Sequence, residues 1–309
     1  MSKDNRMNWI AKRLIAYFFS DEDPRNLAIC RVIFFLLMGC AYLKVDFVRF
    51  AYAPVELYEP VWLLKVVRAP VLSPYEMGLA AWLWKGSLFC AAIGFATRIT
   101  TVTAFVLGAY LLGFPHSFST TCHYDAIMVL IMGVLAVAKC GDVFSVDCWM
   151  KRKFSFKQPD GLSRSPEYSW PIRLICVLIV LSYFSAGISK LRNSGFHWFT
   201  SDYLSHLLIL HQYIAYPPTR WGLALAKYQW LCSIMAFSSI VLEVSSPLAL
   251  FSRRFCWAWI FCLYAMHIGI YFLLGPDFSL NVICYVFFIP WTHLADYISR
   301  QRIQSVDSK

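Results

Sequence analysis

Eight apolar blocks, near residues 27–45, 78–97, 99–116, 124–140, 170–190, 230–252, 255–274 and 278–295, dominate this chain and restrict it to one class of fold. Each is close to the ~20 residues that a helix needs to cross a bilayer core. With 59% hydrophobic and only 15% charged residues among 309, the chain carries more apolar side chains than one soluble core can bury. A segment inside lipid must satisfy its own backbone hydrogen bonds, so contiguous apolar blocks of this length are helices. The expected fold is therefore all-α, a polytopic transmembrane bundle of about eight spans. No internal period of about 20 to 50 residues recurs, and no symmetry between two halves is visible, which argues against a repeat array or a repeat-built transporter.

The formal charge of +10 does not mark a nucleic-acid binder, because Lys and Arg are scattered between the apolar blocks and form no continuous stripe. Their distribution is topogenic. Lys3, Arg6, Lys12, Arg13 and Arg25 precede the first block, and Lys139, Lys151, Arg152, Lys153, Lys157 and Arg164 precede the fifth. With eight spans, Arg98, Arg253, Arg254, Arg300, Arg302 and Lys309 fall on that same side. The positive-inside rule makes it cytoplasmic, with both termini. The opposite side receives segment 46–77 with Asp46, Glu56, Glu59 and Glu76, the turn 117–123, segment 191–229 and the turn at Gly275-Pro276-Asp277. The expected location is a bacterial cytoplasmic (inner) membrane with this second side facing outward.

Residues 1–26 form an N-terminal cytoplasmic or interfacial region: Trp9, Ile10, Leu14, Phe18 and Phe19 alternate with Lys12, Arg13 and Tyr17 at helical spacing, as in a helix lying on a membrane surface. No small-residue cleavage site follows its short apolar run, so it does not read as a signal peptide. Residues 27–295 form the transmembrane domain, and 296–309 a short cytoplasmic tail. The stretch 202–214 is too short to span and fits an interfacial or re-entrant helix, while Lys151 to Tyr168 reads as a flexible cytoplasmic linker. The chain has 11 cysteines but no CxxC pair, and most of them sit inside apolar blocks, so neither a structural disulfide nor a metal site is expected.

Ionisable groups inside spans cost roughly 2.5–3.5 kcal/mol each on insertion scales, so each needs a partner, a cavity or a task. Arg31, Lys85, His123, Asp125, Lys190, Glu243 and His267 are the candidates. Lys190, at the end of the fifth block, has two readings: a lysine snorkelling to the headgroups, or an amine buried among aromatic side chains so that its neutral form acts as a base. Glu243, deep in the sixth block, calls for Arg31, Lys85 or a proton as its partner. His123 and His267 each read either as satisfied structural histidines or as members of a site.

The segment Tyr183-Phe184-Ser185-Ala186-Gly187-Ile188-Ser189-Lys190-Leu191, with Trp198 beyond it, resembles the "YF-x-AG-x-x-KL…W" motif of the membrane domain of vitamin K-dependent gamma-carboxylases, the horizontally transferred transmembrane (HTTM) family. Cys122-His123-Tyr124, followed by Phe144-Ser145-Val146-Asp147, is similar to that family's histidine-led helix with its "W/F-S-V-D" tail. Glu243 with Pro247 matches an acidic-x-x-x-Pro signature. His267, with Phe278, Asn281 and Pro290, resembles the family's penultimate histidine and final helix. The resemblance implies that Lys190 is the catalytic base and that His123 stabilises developing negative charge. It also implies a substrate or cofactor pocket at His267, Asn281, Trp198 and Glu243. The implied cofactor is reduced vitamin K or menaquinol, used with O2 and CO2 in lyase-type carboxylation and with no metal. The family's carboxylases carry a large extramembrane region after the spans, whereas this chain stops soon after Asp296. That departure leaves room for the alternative of a non-enzymatic membrane factor for maturation of, or immunity to, a secreted peptide of the sporulation-delaying type. The expected partners are the lipid bilayer, a secreted peptide substrate and a small partner protein that supplies the missing surface.

Overall fold

In the computed structural model, which describes residues 3–118, 123–154, 163–278 and 280–294, the chain is all-helical, with 77% helix and no strand among the described residues. The helices are α1 (Lys3–Phe18), α2 (Pro24–Tyr42), α3 (Trp62–Val66), α4 (Pro74–Ile93), α5 (Thr97–Gly113), α6 (His123–Val137) and α7 (Val146–Phe154). They continue with α8 (Pro166–Ser194), α9 (His197–Thr200), α10 (Tyr203–Ile214), α11 (Trp221–Leu225), α12 (Gln229–Val244), α13 (Arg253–Leu274) and α14 (Asn281–Cys284). Among the described residues four segments are long and apolar enough to cross a membrane: Pro24–Tyr42, Thr97–Ser117, Pro166–Ser194 and Arg253–Leu274. Apolar residues of α6 and α12 form shorter apolar helices. The block at 278–295 is not one helix. It breaks into the single turn of α14, a 3-10 turn at Tyr285–Phe288 and a stop at Ile289-Pro290, where proline has no N–H to continue the ladder.

The chain divides into two compact units, Met1–Ile175 with Val286–Lys309, and Cys176–Tyr285, and the division falls within α8. In the first unit α2, α4, α5 and α6 pack in sequence order. Leu27, Phe34, Phe35 and Met38 of α2, Trp84 and Leu88 of α4, Leu111 of α5 and Met128 and Met132 of α6 are fully buried and make up its apolar core. The polar edge of Trp84 is satisfied by the Ala104 carbonyl at 3.0 Å. Residues 286–292 return to α2, with the Thr292 amide donating to Asn26 Oδ1 at 2.8 Å and the Phe287 ring against Phe34. Trp82, Ile99 and Val106 of the same helices are exposed, a pattern that points to a lipid environment.

Helix starts follow capping rules. Asp23 accepts from the Arg25 amide at 2.9 Å, and Pro24 opens α2 where its missing N–H costs nothing. Ser73 and Glu76 form a capping box for α4, which ends on Gly94 with φ +71°. A Cβ there would collide with the Arg31 guanidinium and with Ser145, so glycine is needed both for the turn and for the close approach.

The Phe144-Ser145-Val146-Asp147 stretch is a structural clasp. The Phe144 carbonyl accepts from Arg31 Nη2 at 2.5 Å, and Ser145 Oγ accepts from the Cys148 amide at 2.9 Å, which caps α7. The Asp147 carboxylate accepts from the amides of Ala96 (2.8 Å) and Thr97 (2.7 Å) and from the Thr97 hydroxyl (2.7 Å), and so caps α5 from a distant segment. Burial pushes this carboxyl up, but the bonds from Thr97 and Ala96 outweigh it and hold the group below the usual carboxylate range. The region read as a linker from Lys151 is therefore partly ordered: α7 continues through Phe154, where Lys153 lies over the rings of Trp149 and Phe154, and α8 begins at Pro166. The rest of that reading falls on 155–162, outside the described residues.

Candidate functional site

Lys190 stands one turn after Gly187 on α8, and that spacing explains what the small residue does. A Cβ at Gly187 would lie 2.9 Å from both Glu243 Cβ and Val244 Cγ2, and 3.1 Å from the Val244 amide nitrogen. Only a bare α-carbon lets α12 come this close, as small residues commonly do between membrane helices. Ser246, fully buried just past α12, donates to the Val180 carbonyl at 3.0 Å and fixes the same approach from farther down α8. With the helices so placed, Lys190 Nζ reaches Glu243 Oε1 at 2.5 Å. The glutamate side chain is 6% exposed and the lysine 25%. On its other side the ammonium lies 5.3 Å from the centroid of the Trp198 ring.

The pair stands at the wall of a cavity of about 830 Å³ within the Cys176–Tyr285 unit, a volume in the range of small-molecule sites. Lys190, Glu243 and Trp198 line it together with apolar side chains of α10, α12 and α13, such as Leu207, Ile234, Trp259 and Leu273. Ser238, Ser239 and Ser245 also face it, but their hydroxyls donate to carbonyls of their own helix at Ile234, Ala236 and Leu242. The Trp198 indole nitrogen is buried without a hydrogen-bond partner.

The expected site residues separate into groups. Lys190, Glu243 and Trp198 come together at the cavity. His267 is buried, but it does not line the cavity: its ring is sandwiched between Tyr183 (5.9 Å) and Phe278 (5.2 Å), and its Nδ1 has no partner. Asn281 lies beside the Tyr183 hydroxyl, which pairs with the Tyr285 hydroxyl at 3.1 Å. His267 and Asn281 thus belong to a polar cluster around Tyr183, whose ring packs edge-on against the cavity-lining Trp259. His123 opens α6 in the other unit, and its side chain lies outside the described residues.

Glu243 does not take the partners expected for it. Arg31 is held by the Phe144 carbonyl, and Lys85 donates to the Leu43 and Val45 carbonyls at 3.0 and 2.7 Å, just past the end of α2. The partner is Lys190, 53 residues away in sequence. Asp125 is likewise satisfied, receiving the Tyr42 hydroxyl at 2.6 Å on one oxygen and lying 2.8 Å from His116 Nε2 on the other. His116, Tyr42 and Tyr285 were not marked by sequence, because none of them has a local signal separating it from an ordinary interfacial or core residue, and Tyr183 entered only as part of the motif around Lys190. Among the described residues no three His, Cys, Asp or Glu side chains gather as a metal-ligating set. The chain matches no family model, no curated protein and no solved structure.

Proposed function

We propose that this chain is a multi-pass membrane protein of the HTTM type that performs base chemistry at Lys190 on a lipid-soluble ligand. In this reading the chain crosses about eight times, the last crossing made by the broken segment around α14 instead of one continuous helix, with both termini cytoplasmic and the Lys190 end of α8 facing outward. The observation that carries it is the Lys190–Glu243 pair set in the wall of an otherwise apolar cavity of about 830 Å³.

The residues fit the cofactor that the sequence resemblance implies. The volume accommodates a naphthoquinol head with part of an isoprenoid tail, and the wall is apolar except at one end. When bound, a reduced naphthoquinone supplies, with O2, the strong base needed to remove a weakly acidic proton ahead of carboxylation by CO2. The protein's own part is narrower. Lys190 acts as a base once its own proton has passed across 2.5 Å to Glu243 Oε1, which leaves a neutral amine at Nζ to orient and take a hydroxyl proton. Trp198 shields the amine, and Leu207, Ile234 and Leu273 exclude the water that would quench a strong base. His123 enters this proposal through the sequence resemblance alone, and His267 and Asn281 through their support of Tyr183.

One observation favours a second reading. The ion pair satisfies Lys190 without any ligand, as it would in a non-enzymatic membrane factor that binds or matures a secreted peptide. Quinol epoxidation by the purified protein in lipid, with reduced vitamin K or menaquinol and O2, decides between them. Under the enzymatic reading the wild type forms epoxide and Lys190→Ala lowers the rate by about 10²-fold or more. Absence of epoxide with the wild type, in native lipids and with any partner protein added, leaves the second reading standing.

A further inference from the structure

The polar equipment that a ligand would meet in the cavity is small and has zero net charge. Among its lining side chains only Lys190 and Glu243 carry charge, and they are paired with each other at 2.5 Å. Glu243 is not free to swing away. Its Cβ abuts Gly187, and the turn that follows α12 is tied to α8 by Ser246. The three serine hydroxyls are committed to helix carbonyls. What remains is the Trp198 N–H, buried and without an acceptor, which in an apolar setting is costly until an oxygen is presented to it.

A bilayer surrounds such a site with acidic lipids. A solitary lysine at the end of an apolar slot would capture a fatty-acid carboxylate or a phosphate, because an unpaired cation in low dielectric gains most from the nearest anion. A fixed carboxylate already on that lysine removes the gain and repels a second anion. It leaves the Trp198 donor and the ammonium hydrogens that Glu243 does not engage for a neutral oxygen.

We infer that Glu243 is a specificity-determining residue: it sets the cavity to accept an uncharged, oxygen-bearing head on a long apolar body and to turn away carboxylate and phosphate heads. This rests on the reading that the cavity is the ligand site, and it names the substrate class and the residue that selects it.

The test uses full-length protein in nanodiscs of neutral lipid at pH 8, with a diazirine-bearing C20 isoprenoid alcohol as the probe. Labelled peptides locate the site, and three unlabelled competitors of the same body are compared: phytol, phytanic acid and the hydrocarbon phytane. On wild type the alcohol competes at least about tenfold better than the acid or the hydrocarbon. Glu243→Gln reverses the first ranking, so that the acid competes at least about tenfold better than the alcohol. The double variant Lys190→Met with Glu243→Gln shows no preference between the two heads, and Trp198→Phe brings the alcohol down toward the hydrocarbon. The inference is overturned if the acid equals the alcohol on wild type, a result that needs no variant to fold, or if Glu243→Gln leaves the ranking unchanged. In either case labelling of α12 and α13 keeps the ligand-site reading intact. Failure of the probe to label the cavity lining saturably removes both.

Discussion

Gly187→Ala probes the contact on which the whole site depends. An added methyl would sit 2.9 Å from Glu243 Cβ and Val244 Cγ2, against an ordinary carbon–carbon contact of about 3.5–4.0 Å. One neighbour is main chain, the Val244 amide at 3.1 Å, so rotating a side chain does not relieve the clash and α12 must retreat by about 0.6 Å or more. Overpacking of this kind costs about 1–3 kcal/mol, offset by the ~1 kcal/mol that alanine gains over glycine in a helix interior. Gly86→Ala in α4 is the control, since a Cβ there meets nothing within 4 Å and the helical gain stands alone. Thermal unfolding in a common detergent should therefore place Gly187→Ala below Gly86→Ala by roughly 1–3 kcal/mol, with wild type between them or level with Gly187→Ala. Because the retreat lengthens the 2.5 Å Lys190–Glu243 contact, epoxidation or probe labelling should fall along with stability. If Gly187→Ala is as stable as Gly86→Ala and keeps full ligand labelling, the close approach at Gly187 is not what pairs Lys190 with Glu243.

Two further outcomes follow from buried charge and from capping. Lys190→Met or Glu243→Leu alone should destabilise by about 3–5 kcal/mol, because each leaves an uncompensated charge, while the double variant should recover most of the loss; additive losses in the four-member cycle would contradict the pair. Asp147 is held below the usual carboxylate range, so its contribution is fully present above that range and disappears as pH falls through its lower folded-state value. Asp147→Asn should accordingly be less stable than wild type at neutral pH, with the difference shrinking on acidification below the carboxylate range, and a gap that is constant with pH would refute the cap.

Much of this architecture is legible in the sequence because it is written locally. The periodicity of α1 from Trp9 to Phe18, the shortness of the helix over 203–214 and the apolar runs of α2, α5, α8 and α13 are readable from composition and spacing within one segment. The break after Cys284 is less so. Its residues are as apolar as those of any span, and the stop depends on Pro290 and on how 286–292 fold back along α2. The role of the Phe144–Asp147 stretch was equally hidden, since the amides that Asp147 caps lie 50 and 51 residues away.

The same division runs through the candidate site. By itself the sequence determined that the chain is helical and suited to lipid, and it singled out Lys190, Glu243 and His267 as groups too costly in an apolar block to be incidental. Those conclusions need only the transfer energies of side chains and the geometry of one helix. Tertiary structure alone decided that Lys190 and Glu243 satisfy each other, that Trp198 joins them at a cavity, and that His267 turns instead to Tyr183 and Phe278. The reason is physical: which of two buried charges meet depends on how closely two helices can pack, and that is set by single small residues such as Gly187 acting across 56 positions of chain, from 187 to 243, where no local pattern reaches.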